Sequence, residues 1–218
     1  MIFALLVSYA HQIEEIFKEI HRSKRWGGFD SFSGPGSSLD QTATIREQIP
    51  VLVEELDVRT FLDIPCGDFY WMKEVKLGVD LYIGADIIGE AIDSNAREYG
   101  ALGDCARVFC RLDITRDQLP QVDMVFCRDC FVHLCFDDIL RAIRNIKKSN
   151  SKYLLTTTFT GLREAVDIVT GRWRPLNFQL PPFSFPDPIK VIVENCTENE
   201  GIYSDKSLAL WQVPDLPS

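Results

Sequence analysis

Positive charge is scarce in this chain. Its 23 Lys and Arg stand against 32 Asp and Glu, a formal net charge of −9 over 218 residues. Binding to a phosphate backbone needs a basic footprint, so nucleic acid is not expected as the main partner. Long apolar runs are missing too. The N-terminal "MIFALLVSYA" covers ten residues, against about 20 needed to span a bilayer. It also lacks the basic start of a signal peptide. No stable membrane insertion is expected. Ile13, Ile16, Phe17 and Ile20 fall at helical spacing, which predicts an N-terminal helix. Paired cysteine motifs are absent as well. Cys127 and Cys130 form a single C-x-x-C with no second pair at zinc-ribbon spacing, so no metal site is expected. The cysteine count is odd, and Cys110, Cys127 and Cys135 sit in apolar, strand-like surroundings. They read as free thiols of a reducing, cytoplasmic compartment. No internal repeat or low-complexity tract is visible.

What is present is an alternation. Strand-like segments lie at 60–64, 81–86, 107–113, 122–127 and 152–159. Helix-like segments lie at about 69–75, 88–98 and 136–148. Continuous apolar strands separated by helices predict a parallel sheet covered on both faces. Residues 40–57 read as a further helix, with Ile45, Ile49, Leu52, Val53 and Leu56 on one face and Pro50 expected to kink or split it. From about 161 the pattern changes. Pro175, Pro181, Pro182, Pro186 and Pro188 rule out a regular element there. Strand-like runs at 190–196 and 207–213 then predict an antiparallel hairpin.

The segment 25–38, "RWGGFDSFSGPGSS", is a Gly/Ser loop that also carries Trp26, Phe29 and Phe32. Two readings stand: a loop pinned by aromatic anchors, or a lid over a ligand.

Several strands end in acids. Asp63, Asp86 and Asp113 close the first three, and Arg128-Asp129 follows the fourth. A lone strand-terminal Asp is a turn former or helix cap. Acids at successive strand ends give one rim a shared chemistry, at the edge where doubly wound sheets bind ligands. Asp86 lies about 20 residues after the turn at Gly67, the spacing at which an acid takes ribose hydroxyls. The turn is not G-x-G-x-x-G. Pro65 stands where a glycine is expected and offers no N–H, so a diphosphate cradle is poorly supplied.

These acids, the final hairpin and the strings "RWGGFDSFSGPGSS", "DIPCGDFYWM", "CRDCFVHL", "SKYLLTTTF" and "TGRWRPLN" resemble the class I S-adenosylmethionine-dependent methyltransferases, in a compact, mostly bacterial subgroup. The resemblance covers nearly the whole chain. Against the family's D-x-G-x-G motif, this chain keeps only Asp63 and Gly67. The resemblance implies S-adenosyl-L-methionine as cofactor. It places Asp63, with Cys66 and Gly67, at the methionine end, Asp86 on the ribose, and Asp113 with Ile114 around the adenine. Arg128 would line the pocket, and Trp26 and Trp71 would face the substrate.

A hydroxyl acceptor needs its proton removed. Asp129 and His133 are four apart and share a face if the stretch is a helical turn, which makes them the candidate catalytic pair. The expected architecture is a Rossmann-like three-layer α/β/α sandwich, mostly parallel, with a C-terminal antiparallel hairpin. It forms one methyltransferase domain over 1–218, with N-terminal helices and the lid loop in 1–57 and the core in 58–218. The expected function is methyl transfer to a small molecule, at a hydroxyl oxygen. The alternatives are an NAD(P)-dependent oxidoreductase, disfavoured by Pro65 and the hairpin, and a non-catalytic nucleotide-binding domain.

Overall fold

The computed structural model describes residues 2–27, 30–101, 105–162 and 164–217, with side chains in the first helix from residue 12 onward. Seven strands form one sheet: β1 (Thr60–Asp63), β2 (Leu81–Asp86), β3 (Ala106–Arg111), β4 (Met124–Cys127), β5 (Tyr153–Phe159), β6 (Lys190–Val193) and β7 (Lys206–Gln212). Their order is β3-β2-β1-β4-β5-β7-β6. The first five strands are mutually parallel, and β7 pairs antiparallel with both β5 and β6. The order reverses between β1 and β4, which sets a ligand crevice at the carboxyl ends of those strands.

Among the described residues, four helices of more than ten residues accompany the sheet: α1 (Ile2–Arg22), α2 (Ala43–Glu55), α3 (Gly89–Tyr99) and α4 (Phe136–Lys148). Strand residues alternate between two cores. Leu62, Val125 and Leu154 pack on Ile139, Ala142, Ile143 and Ile146 of α4. Phe61, Phe126 and Leu155 pack on Ile45, Ile49 and Leu52 of α2. Both faces being covered explains the unbroken apolar runs. In α4, Asp137 and Asp138 open the first turn and Lys147 and Lys148 close the last, matching the helix dipole. Among the described residues, no helix is long and apolar enough to cross a membrane.

Two helix expectations change. Pro50 does not split α2, which runs through it. Burial of Ile45, Ile49, Leu52 and Val53 on either side outweighs the one lost N–H. The helix expected at 69–75 is absent. Only a 3-10 turn at Met72–Glu74 forms, and Phe69 has φ +56°. The Phe69 ring lies 5.2 Å from the rings of Tyr82, Tyr99 and Phe109. Its burial dictates the backbone there, against local propensity. The proline-rich stretch forms no helix or strand, yet it buries Leu176, Phe178, Phe183 and Phe185 against Trp211. The seven cysteines form no disulfide.

Candidate functional site

A cavity opens at the carboxyl ends of β1, β2 and β4, under α1 and the loop 25–38. It opens to solvent, and the space inside its walls and mouth is about 1180 Å³. Asp63, Cys66, Gly67, Asp86, Asp113, Ile114, Arg128, Asp129, His133, Trp26 and Trp71 all line it. Sequence spacing alone did not guarantee this convergence, since these residues come from four strand ends and a distant loop.

The turn after β1 is built by cross-strand bonds. The Ile64 N–H donates to the Phe126 carbonyl at 2.9 Å, and the Cys66 N–H to the Ala85 carbonyl at 2.8 Å. Gly67 then takes φ +54°, and its N–H donates to Asp86 Oδ2 at 3.1 Å. Asp86 Oδ1 accepts the Ile88 N–H at 2.9 Å. The carboxylate is therefore fixed at the head of α3 with lone pairs to spare on both oxygens. A Cβ at Gly67 would stand 2.2 Å from Ser33 Oγ, so that hydroxyl would have to turn away, on a backbone conformation that favours glycine.

Burial raises the carboxyls of Asp63, Asp86 and Asp113. Asp63 is pushed up to about 7, against the hydrogen bond from the Tyr82 hydroxyl at 2.6 Å. Asp113 Oδ1 accepts the Thr115 N–H and hydroxyl at 2.9 and 2.7 Å. Its Oδ2 is buried without a hydrogen-bond partner, with Arg116 Nε as a charge neighbour at 3.4 Å. Oδ2 is thus served by a charge contact and not by a hydrogen bond.

The loop 25–38 roofs the cavity and is tied down at three points. Asp68 accepts the Ser31 hydroxyl at 3.0 Å and the Phe32 N–H at 3.1 Å. The Gly36 carbonyl accepts from Arg128 at 2.9 Å. The Trp26 ring stacks on His133 at 4.2 Å and 28°. Phe29 lies outside the described residues.

Arg128 and Asp129 belong to a buried ionic quartet. Arg128 meets Glu194 through Nε and through an amino group at 2.7 Å, and Asp129 at 3.3 Å. Lys206 Nζ lies 2.6 Å from Asp129 and 3.6 Å from Glu194. Burial alone would raise the Asp129 carboxyl, but Lys206 and Arg128 outweigh it and hold it below the ordinary range.

The geometry corrects one expectation. Asp129 and His133 do not sit on one α-helical turn, since Asp129 has φ +53° and only a 3-10 turn spans Phe131–His133. The Arg172 carbonyl, 3.0 Å from Nδ1, orients the imidazole instead. Burial pushes the ring's protonation down to about 4.

Other lining residues escaped the sequence reading. Among them, His21 lines the cavity edge-on to Phe32 at 4.5 Å. Its signal was there: Ile13, Phe17 and His21 repeat every four residues on one helical face. Asp68 and Ser37 carried no signal, because only the folded loop brings them to the site.

No protein-family model matches the chain, and no curated protein matches it by sequence. Solved structures do match. The N-methyltransferase NodS from Bradyrhizobium japonicum WM9, solved with S-adenosyl-L-homocysteine, aligns over 90% of this chain and 97% of its own, at 15% identity and TM-score 0.60. The chain has the class I methyltransferase fold. The PH0226 protein from Pyrococcus horikoshii OT3 aligns over 82% and 93% of the two chains, at 16% identity and TM-score 0.54. An S-adenosylmethionine-dependent methyltransferase from Clostridium acetobutylicum ATCC 824 aligns at 13% identity and TM-score 0.46 over 53% of this chain, which spans half the length of that protein. Within this fold, the crevice between β1 and β4 is the one that the described part of the loop 25–38 covers here.

Proposed function

We propose that the protein transfers the methyl group of S-adenosylmethionine to a hydroxyl oxygen of a small molecule. The observation that carries this is the meeting of Asp86, Asp113 and Gly67 on one cavity rim. An adenine amino group is a donor that the Asp113 carboxylate can accept. The free lone pairs of Asp86 match two ribose hydroxyls. Close packing at Gly67 suits a ligand that approaches backbone. Asp63 stands nearest the methionine end, where an ammonium would favour its ionised form. The SAH complex of NodS supports the same reading by fold.

S-adenosylmethionine, when bound, supplies an electrophilic sulfonium methyl. The chain's own residues align the acceptor and exclude water. Trp26 and Trp71 supply apolar walls, and the pinned loop supplies the roof. With Nδ1–H donating to the Arg172 carbonyl, His133 keeps its lone pair on Nε2. It is neutral throughout the physiological range. It takes the acceptor's proton as the new C–O bond forms, when the oxygen has become acidic. Asp129, neutralised by Lys206 and Arg128, supports the site without moving a proton.

The test is transfer itself. Enzyme incubated with methyl-labelled S-adenosylmethionine and a metabolite extract should yield a labelled product and an equal amount of S-adenosylhomocysteine. Cofactor consumed only at the enzyme-free rate would refute the proposal.

A further inference from the structure

Beyond β4 the cavity is lined by Arg128, Asp129, Cys130 and His133, with Trp26 and Ser37 from the loop. A phosphate or carboxylate bound there would need a cation with donors to give. Among the described residues, Arg128 is the only Arg or Lys that lines the cavity. Its Nε and Nη2 donate to Glu194 and to the Gly36 carbonyl, and its Nη1 is ion-paired with Asp129 at 3.3 Å, so its charge is already met. Glu194 is itself 2% exposed, so solvent does not compete for that pair. Lys206, behind the wall, is spent on Asp129 and Glu194. Two cations and two anions thus cancel.

The other carboxyls of the lining, Asp63, Asp68, Asp86 and Asp113, supply no cation either. An anionic acceptor would be desolvated there without a charge partner. A cationic amine fares no better there, because Asp129 and Glu194, the acids beside it, are already paired with Lys206 and Arg128.

We infer that the acceptor is uncharged: a hydroxyl-bearing ring compound, aryl or glycosyl, held by indole faces and presented to His133. This rests on the methyl-transfer reading and names its substrate class. Indoles pack equally on an aromatic ring and on the apolar face of a sugar, so the two sources share one recognition chemistry. The bond made is carbon to acceptor oxygen, and the bond broken is carbon to sulfonium sulfur. The hydroxyl proton leaves to His133, and the sulfur departs as a neutral thioether.

The experiment separates the labelled products of the extract reaction on an anion exchanger. The expected result is label in the unretained, small-molecule fraction, with mass spectrometry assigning an aryl or a glycosyl methyl ether. Label that is mainly retained, or carried by protein or nucleic acid, would overturn the inference while leaving methyl transfer intact. No label from an enzyme that binds S-adenosylhomocysteine would overturn transfer and this inference together. Glu194→Gln is the second arm. It removes the partner that neutralises Arg128, so the ratio of retained to unretained label should rise about tenfold, with S-adenosylhomocysteine binding as the check that the variant is folded. An unchanged ratio in a folded variant would show that the Arg128 pairing does not set the acceptor's charge.

Discussion

The substitution Asp63→Asn tests the electrostatics of the crevice in numbers. Asp63 is 3% exposed and accepts a hydrogen bond from Tyr82. Its folded carboxyl titrates near 7, whereas an unfolded Asp titrates near about 3.9. The folded state therefore binds more protons between these values, and the contribution of Asp63 to stability falls as pH rises from about 4 through 7. At about pH 8.5 ionised Asp63 costs the ligand-free fold about 4 kcal/mol. Asn keeps an oxygen for the Tyr82 hydroxyl and removes the charge. It adds a buried amide that lacks an acceptor, at about 1–3 kcal/mol. The variant should thus be about 1–3 kcal/mol more stable than wild type at about pH 8.5, and about 1–3 kcal/mol less stable at about pH 3, where Asp63 is neutral in the folded state and mostly neutral in the unfolded one. Urea unfolding of both proteins at both pH values measures this. Taking the difference cancels His133, whose lowered protonation makes stability rise with pH between about 4 and 6.5. A stability difference that does not change with pH would refute the reasoning.

Asp86→Ala should weaken S-adenosylhomocysteine binding at least about tenfold by calorimetry, because a ribose contact to a carboxylate is charge-assisted. It should also lower stability by about 1–3 kcal/mol per N–H left unpaired at Gly67 and Ile88. His133→Asn should reduce turnover about 10²–10⁴-fold with cofactor affinity nearly unchanged. With the imidazole neutral above about 4, wild-type turnover should be flat from about pH 6 to 8. A rise through 6.5 would show that the ring is not held neutral. Protease cleavage within 25–38 should slow when S-adenosylhomocysteine is added and speed up in Asp68→Ala, which loses the acceptor for Ser31 and Phe32. Equal rates in all three states would leave the loop a plain connector.

The fold was legible where one signal dominated. Apolar runs such as Met124–Cys127 bury both faces, and that pattern is local. The hairpin was legible from turn composition, though the insertion of β7 between β5 and β6 was not. Nothing in β7's own sequence states its neighbours. Phe69 misled because its ring is fixed by Tyr82, Tyr99 and Phe109, all distant in sequence. The strand-end residues were readable because strand ends are fixed by periodicity. The environment of each was not. Asp129 and His133 look alike as a spaced pair, yet Lys206 claims one and the Arg172 carbonyl the other. Those partners come from 39 to 77 residues away, beyond any local pattern.

The most direct test of the account is the ligand-free protein's response to S-adenosylhomocysteine and to NAD. At 100 times its dissociation constant, a ligand specific to the folded state adds about 2.7 kcal/mol, or about 5–10 °C in Tm for a chain of this length. The account predicts that rise with S-adenosylhomocysteine, at one site per chain by calorimetry, and none with NAD. No response to S-adenosylhomocysteine, or an equal response to NAD, would contradict it.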